Sequence, residues 1–394
     1  MRRAALAVGM LLLAGGVAVA DWSGGGSSAF PATPLGHIYV SMAPPPQSGR
    51  GIPPPPVYSR AYIQALMFNG GNVWGIIGKQ RPGLDVSPVQ LPLSPRGGAV
   101  MRWSRERADF AAASAAPYWL ALSGSRLFVS DSAGDVEIHD TSSYALLASL
   151  PSGGVVTDLA ASADGRYVFA ADSARHPGLM VMDVASSRAV RWIDTPRLPG
   201  DTGGLSAVAI SPDCRTAYVA VSSQVAGEVA AIDTVSKAVL KICPVGRMPM
   251  GLGLSPDGRT LYCTNGAGGS VSVIDTSTLT ELKRVAVDPA PLRAAVAADG
   301  SAYVTCRSGS VCHVDSTGLR ARISLERPTV SPFGLNHPVP PGPTALALTP
   351  DGAHLVVSNT AAGSLSVIDT TRDQLEYTTS DQLMCRPFGV VVGP

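Results

Sequence analysis

Six aspartates close six similar segments of the 394-residue chain: Asp140, Asp183, Asp233, Asp275, Asp315 and Asp369, 40 to 54 residues apart. Self-similarity at this period constrains the fold more than any other feature, because one such unit cannot bury its apolar face alone and must stack on its neighbours. The fullest copy runs Leu254-Ser255-Pro256-Asp257-Gly258-Arg259-Thr260-Leu261-Tyr262-Cys263-Thr264-Asn265, then Gly266 to Gly269, then Ser270-Val271-Ser272-Val273-Ile274-Asp275-Thr276. A second runs from Leu348-Thr349-Pro350-Asp351-Gly352 to Ser366-Val367-Ile368-Asp369-Thr370, and Asp164-Gly165, Asp213-Cys214 and Asp299-Gly300 mark the same turn in weaker copies. Four short strands per copy predict an all-β fold, a β-propeller of four-stranded antiparallel blades.

Within one copy, Gly251-Leu252-Gly253-Leu254 is built of small residues, as crowding around a central axis requires. Asp-Gly supplies the positive φ of a tight hairpin. Leu261 to Thr264 and Val271 to Ile274 are bulky or β-branched, suited to face-to-face packing between blades. Asp-Thr after the third strand accepts backbone hydrogen bonds to begin the next turn. The repeated aspartates are therefore read as turn residues, not as catalytic acids.

Residues 255 to 276, with Tyr262-Cys263-Thr264-Asn265 at the signature strand, resemble the YVTN-type repeat of exported seven-bladed propellers; Val304-Thr305 and Val357-Ser358-Asn359 match further. The resemblance spans about residues 117 to 394. It implies a fold but not an activity, since propellers of this kind include binding proteins, surface proteins and domains of redox enzymes. The C-terminal Arg386-Pro387-Phe388-Gly389-Val390-Val391-Val392 resembles the opening of a blade. It is expected to complete a seventh blade begun by strands between His37 and Ile77, closing the ring and removing two free edges.

The predicted organisation is a signal peptide over 1–20, a Gly/Ser/Pro-rich arm with one strand over 21–60, and the propeller over 61–394, its repeats clear from 117. Met1-Arg2-Arg3, an apolar run and Ala18-Val19-Ala20 form the leader, with cleavage expected before Asp21 and an uncleaved anchor as the competing reading. No later stretch is apolar enough to span a membrane. Within 61–394, Tyr62 to Phe68 and Val73 to Ile77 read as a hairpin, and Arg102 to Ala116 as room for a short helix. The expected setting is periplasmic or extracellular.

Thirty basic against 29 acidic residues give a net charge of +1, so composition offers no reason to expect nucleic acid as a partner. The chain has no phosphate loop, nucleophile elbow, dinucleotide fingerprint or zinc spacing, and no metal or cofactor is predicted. His139 and His313 stand just before closing aspartates and read as packing variants. Cys306 and Cys312 flank a short turn and could form a disulfide across a hairpin.

One face of a propeller gathers the inter-blade loops and the loops between second and third strands. Arg247, Arg293, Arg386, Arg307 and Arg175 fall there, with Asp158 as a carboxylate at the start of an inner strand. One reading is an arginine-lined funnel for a carboxylate or phosphate. The other is scattered solvated arginine, in a chain whose basic residues are 26 Arg and only four Lys. The expected function is a monomeric, non-enzymatic binding or interaction protein using this face, its partner a protein or a small anionic ligand. The alternative is an enzyme at the channel mouth, a lactonase-like hydrolase or a cofactor-assisted oxidoreductase.

Overall fold

The computed structural model describes residues 117–378 except 132–133, 144, 174–177, 196–203, 223–226, 326–340 and 363. It also describes the C-terminal strand 386–393 and the backbone of strands at 19–20, 37–43, 73–77, 89–91, 98–103 and 108–113. Six sheets, each of four consecutive antiparallel strands, form six blades over 117–151, 156–194, 205–245, 249–286, 291–324 and 343–378. The six closing aspartates end the third strands of these six blades, so sequence period and blade coincide.

The expectation of seven blades, with the ring closed by the C-terminal strand, is corrected to six. Each of the six is set by two hairpin turns, an Asp-containing turn after the first strand or its Ser-Gly counterpart in the first blade, and an aspartate turn after the third. The N-terminal strands carry neither. Arg386–Gly393 does pair with His37–Ala43, in a further sheet continued by Gly98–Trp103 and Ala108–Ala113. That sheet lies outside the repeat, its side chains are mostly outside the described residues, and ring closure through it is not shown. The helix expected over 102–116 is also corrected, since Ala108–Ala113 is a strand. Val73–Ile77 pairs with Val89–Leu91 and Val19–Ala20, while residues 62–68 lie outside the described residues. Among the described residues there is no helix at all, hence none long and apolar enough to cross a membrane.

The turn chemistry works as the residue types require. Ser255 Oγ donates to Asp257 Oδ1 at 2.6 Å, and the same oxygen accepts the Arg259 N–H at 3.0 Å. Gly258 sits at φ 72°, and Gly165 and Gly352 at 69° and 70°. Cys214 holds the same left-handed place at φ 60°, where a side chain is sterically penalised. At the next turn Asp275 Oδ1 accepts Ser277 Oγ at 2.6 Å and the Thr278 N–H at 2.9 Å. Thr276 Oγ1 then donates to the Gly258 carbonyl at 2.6 Å, and Thr370 to Gly352 likewise, tying the two hairpins of a blade together.

The core is a series of layers between blades. Phe128 and Ile138 of the first blade meet Val168 and Met180 of the second, and Val219 and Ile232 of the third meet Leu179 and Ile193 of the second. Strands two and three are buried on both faces, so alternate residues serve opposite neighbours. Val271 and Val273 pack toward the fifth blade and Ile274 toward the third. Each fully buried Val, Leu or Ile adds about 1.5–3 kcal/mol.

Two predictions follow from this packing. A Cβ at Gly251 would stand 2.3 Å from the Leu292 carbonyl oxygen of the next blade. Gly251→Ala should therefore lower the thermal midpoint, at a cost of about 1–3 kcal/mol; an unchanged midpoint would show that the inner strands are not crowded. The capping hydroxyls and N–H groups hold the Asp257 and Asp275 carboxyls below the ordinary carboxylate range, and Ser301 holds Asp299 at about 2. Depressed folded values confer stability above the ordinary value of 3.8 that is lost as pH falls through the folded ones. Thermal midpoints should decline steadily between about pH 4 and 2, and a flat profile there would contradict this role of the caps.

Candidate functional site

The innermost strands of all six blades carry a register shift against their second strands. In the second blade Val156 faces Asp172 and Asp158 faces Ala171, which leaves Thr157 as the extra residue; Ser206 and Met250 hold that place in the third and fourth. A bulge removes the extra residue from the ladder, so its carbonyl needs another partner. These carbonyls meet at Arg293, itself inside the bulge of the fifth blade.

Arg293 Nη2 donates to the Thr157 carbonyl at 2.9 Å. Nη1 donates to the carbonyl of Met250 and, at 3.4 Å, to that of Ser206. The guanidinium carbon lies 3.8 Å from the centroid of the Trp119 ring, in the first blade, a cation–π contact. Asp158 Oδ1 stands 3.8 Å from Nη2, and Asp158 Oδ2 accepts the Val208 N–H at 3.1 Å. One side chain of the fifth blade thus touches the inner strands of the other four from first to fourth. The Arg293 and Asp158 side chains are 12% and 15% exposed, so their attraction acts in a partly desolvated setting. Burial pushes the Asp158 carboxyl above its ordinary value while Arg293 pulls it back. Burial likewise lowers Arg293 from its ordinary value, with Asp158 opposing.

Hydroxyls run around the same layer. Thr157 Oγ1 donates to the Leu205 carbonyl at 2.7 Å, Ser206 Oγ to Pro249 at 2.6 Å, Thr264 Oγ1 to Leu292 at 2.8 Å and Thr305 Oγ1 to Thr344 at 3.3 Å. Each link joins one blade to the next.

The residues singled out in the sequence separate into groups. Arg293 and Asp158 come together. Arg247 is exposed and donates to the Ala267 carbonyl at 3.3 Å, and Arg307 is exposed on its loop. The side chain of Arg386 and the whole of Arg175 lie outside the described residues. Cys306 and Cys312 are buried, with sulfurs 3.7 Å apart, as free thiols. Thr157, Ser206 and Met250 went unmarked in the sequence, because a bulge carbonyl has no residue-type signature, and Trp119, which contributes its ring, was not singled out either.

A second polar cluster joins the fifth and sixth blades. His313 Nδ1 lies 2.8 Å from Asp373 Oδ2, His313 Nε2 lies 2.8 Å from Ser301 Oγ, and the ring stacks on Tyr303 at 4.2 Å. Serine, histidine and aspartate in this order resemble a hydrolytic triad. However, Ser301 is 1% exposed and its hydroxyl donates to Asp299 at 2.6 Å, so no substrate carbonyl can reach it. Tyr303 also donates to Asp373, at 2.8 Å, and the cluster acts as a clasp between blades.

The sequence matches no family model and no curated protein. Solved structures do resemble the fold. A chain of Kuenenia stuttgartiensis hydrazine synthase aligns at 19% identity over 67% of this chain and 86% of its own, with a TM-score of 0.57. A functionally unknown protein from Desulfotomaculum acetoxidans aligns at 16% identity over 74% and 94%, with a TM-score of 0.60. The Cps50 (Swd1) β-propeller domain of Myceliophteria thermophila aligns at 13% identity over 66% and 86%, with a TM-score of 0.54. At these identities the likeness establishes one thing, that this chain folds as a β-propeller.

Proposed function

We propose that the chain is an exported binding or interaction protein of the YVTN-repeat kind, with residues 1–20 as its leader, 21–60 as an extended arm and the propeller as its recognition module. The observation that carries this reading is the commitment of Arg293 to main-chain carbonyls, which fills the axial position where an enzyme of this architecture would place its substrate. The turn aspartates are likewise spent on capping N–H and hydroxyl groups. What stays free is the loop face, where Arg247 and Arg307 stand exposed. Planar guanidinium groups suit a partner that presents carboxylates, and we take that partner to be a protein.

Polyglutamate on a sensor surface serves as the probe. Wild-type protein should bind it at low salt and release it as salt rises, because exposed charge pairs are screened. The Arg247→Glu/Arg307→Glu variant should bind at least about tenfold more weakly, roughly 1.4 kcal/mol, with its thermal midpoint unchanged. Equal binding by the two proteins would remove the loop-face reading. Turnover of a lactone or a dye-coupled substrate that Asp158→Asn abolishes would replace it with an enzymatic one. Export has its own check: amino-terminal sequencing of secreted protein should begin at Asp21, and a retained Met1 would refute the leader.

A further inference from the structure

We infer that the axis of this propeller is a guanidinium-recognition site, occupied by the chain's own Arg293 as an intramolecular ligand. The inference goes beyond the proposed function and does not depend on it. It reverses the sign of ligand expected at the axis, since the lining is rich in acceptors and takes a cation.

The site is built from four blades that the arginine does not belong to. Three carbonyls, those of Thr157, Ser206 and Met250, are turned out of their ladders by one-residue bulges and all accept from the two terminal nitrogens. Carbonyl oxygens so placed cannot be satisfied by one another, because each is an acceptor and only a donor can serve them. A planar fork with several N–H groups can reach three acceptors on different blades at once, which a single ammonium point charge cannot do in the same plane. The Trp119 ring covers the guanidinium at 3.8 Å, adding a flat surface that selects a flat cation. Asp158 supplies the compensating charge at 3.8 Å and is itself held by the Val208 N–H, so it is positioned before any cation arrives.

Acceptor carbonyls, one aromatic face and one fixed carboxylate make up a receptor for an alkylguanidinium. Arg293 reaches it from the fifth blade because its own backbone lies in a bulge at the same level. Its Nε is buried without a hydrogen-bond partner, as expected when recognition rests on the terminal nitrogens and the stem only spans the distance. The site therefore belongs to the ring, and the tether is separable from it.

Truncation followed by chemical rescue tests this directly. Arg293→Ala should melt several degrees below wild type. Methylguanidinium chloride at low millimolar concentration should recover a few degrees of that loss in the variant and leave wild type unmoved, as expected for a ligand that binds only the folded state. Methylammonium chloride and sodium chloride at the same ionic strength should recover nothing, and Asp158→Asn in the Arg293→Ala background should abolish the recovery. Should Arg293→Ala fail to fold alone, its refolding yield with and without methylguanidinium reads the same site. Arg293→Lys, which keeps the charge and loses the fork, should fold with a lowered midpoint. The inference is overturned if Arg293→Ala or Arg293→Lys melts with wild type. It is equally overturned if methylguanidinium rescues neither midpoint nor yield, or if methylammonium rescues as well.

Discussion

A one-residue bulge in every innermost strand is the constraint on which this ring depends. Six four-stranded sheets brought edge-on to a common axis must narrow toward it, and a bulge bends and twists the strand that lies closest in. The same bulge breaks one rung of the ladder, and a buried carbonyl without a donor is costly, about 1–3 kcal/mol. The fold answers with donors from other blades. Hydroxyls of Thr157, Ser206, Thr264 and Thr305 serve the carbonyl of the following blade, and Arg293 serves three of the freed carbonyls at once. Blade geometry and inter-blade bonding are thus one problem with one solution.

The chain uses its few cations in the same manner at the periphery. Arg191, Lys241 and Lys283, on successive outermost strands, donate to the carbonyls of Thr234, Thr278 and Thr317 in the turns of the next blade. These bonds repeat from the second blade to the fifth with the period of the fold. A composition with only 15% charged residues is consistent with this economy, since many of the charges that exist are structural. Exposed apolar residues on the same strands, Leu240 at 56% and Leu282 at 61%, lie beside these lysines, the charged neighbours that keep an edge from pairing with another chain.

A filled axis shapes what such a protein can do. Catalysis needs convergent groups with access to a substrate, whereas Arg293 is bonded to three main-chain carbonyls and covered by the Trp119 ring, and Asp158 accepts the Val208 N–H. The Ser301–His313–Asp373 cluster has triad-like contacts but lacks an exposed nucleophile. Both constellations hold blades together.

The period, the turn residues and the alternation of bulky side chains were legible in the sequence because they are local. Asp257 caps a turn with atoms two residues away, and Val271 and Val273 face one neighbour by the two-residue pleat alone. The blade count was not legible, because the C-terminal Phe388 to Val392 resembles a blade opening while the strands it pairs with lack the turns that define the other six. Arg293 was visible as an arginine at a crowded position, and its head does point to the axis. Its partners were invisible, since Thr157, Ser206 and Met250 contribute only carbonyl oxygens and any residue type has one. The partner of His313 was equally hidden, because Asp373 lies sixty residues away and meets it only when the fifth and sixth blades dock. Side-chain chemistry within a repeat is therefore readable from sequence. Main-chain chemistry between repeats is decided only by the ring, which selects the carbonyls that lose their ladder partners and the side chains that replace them.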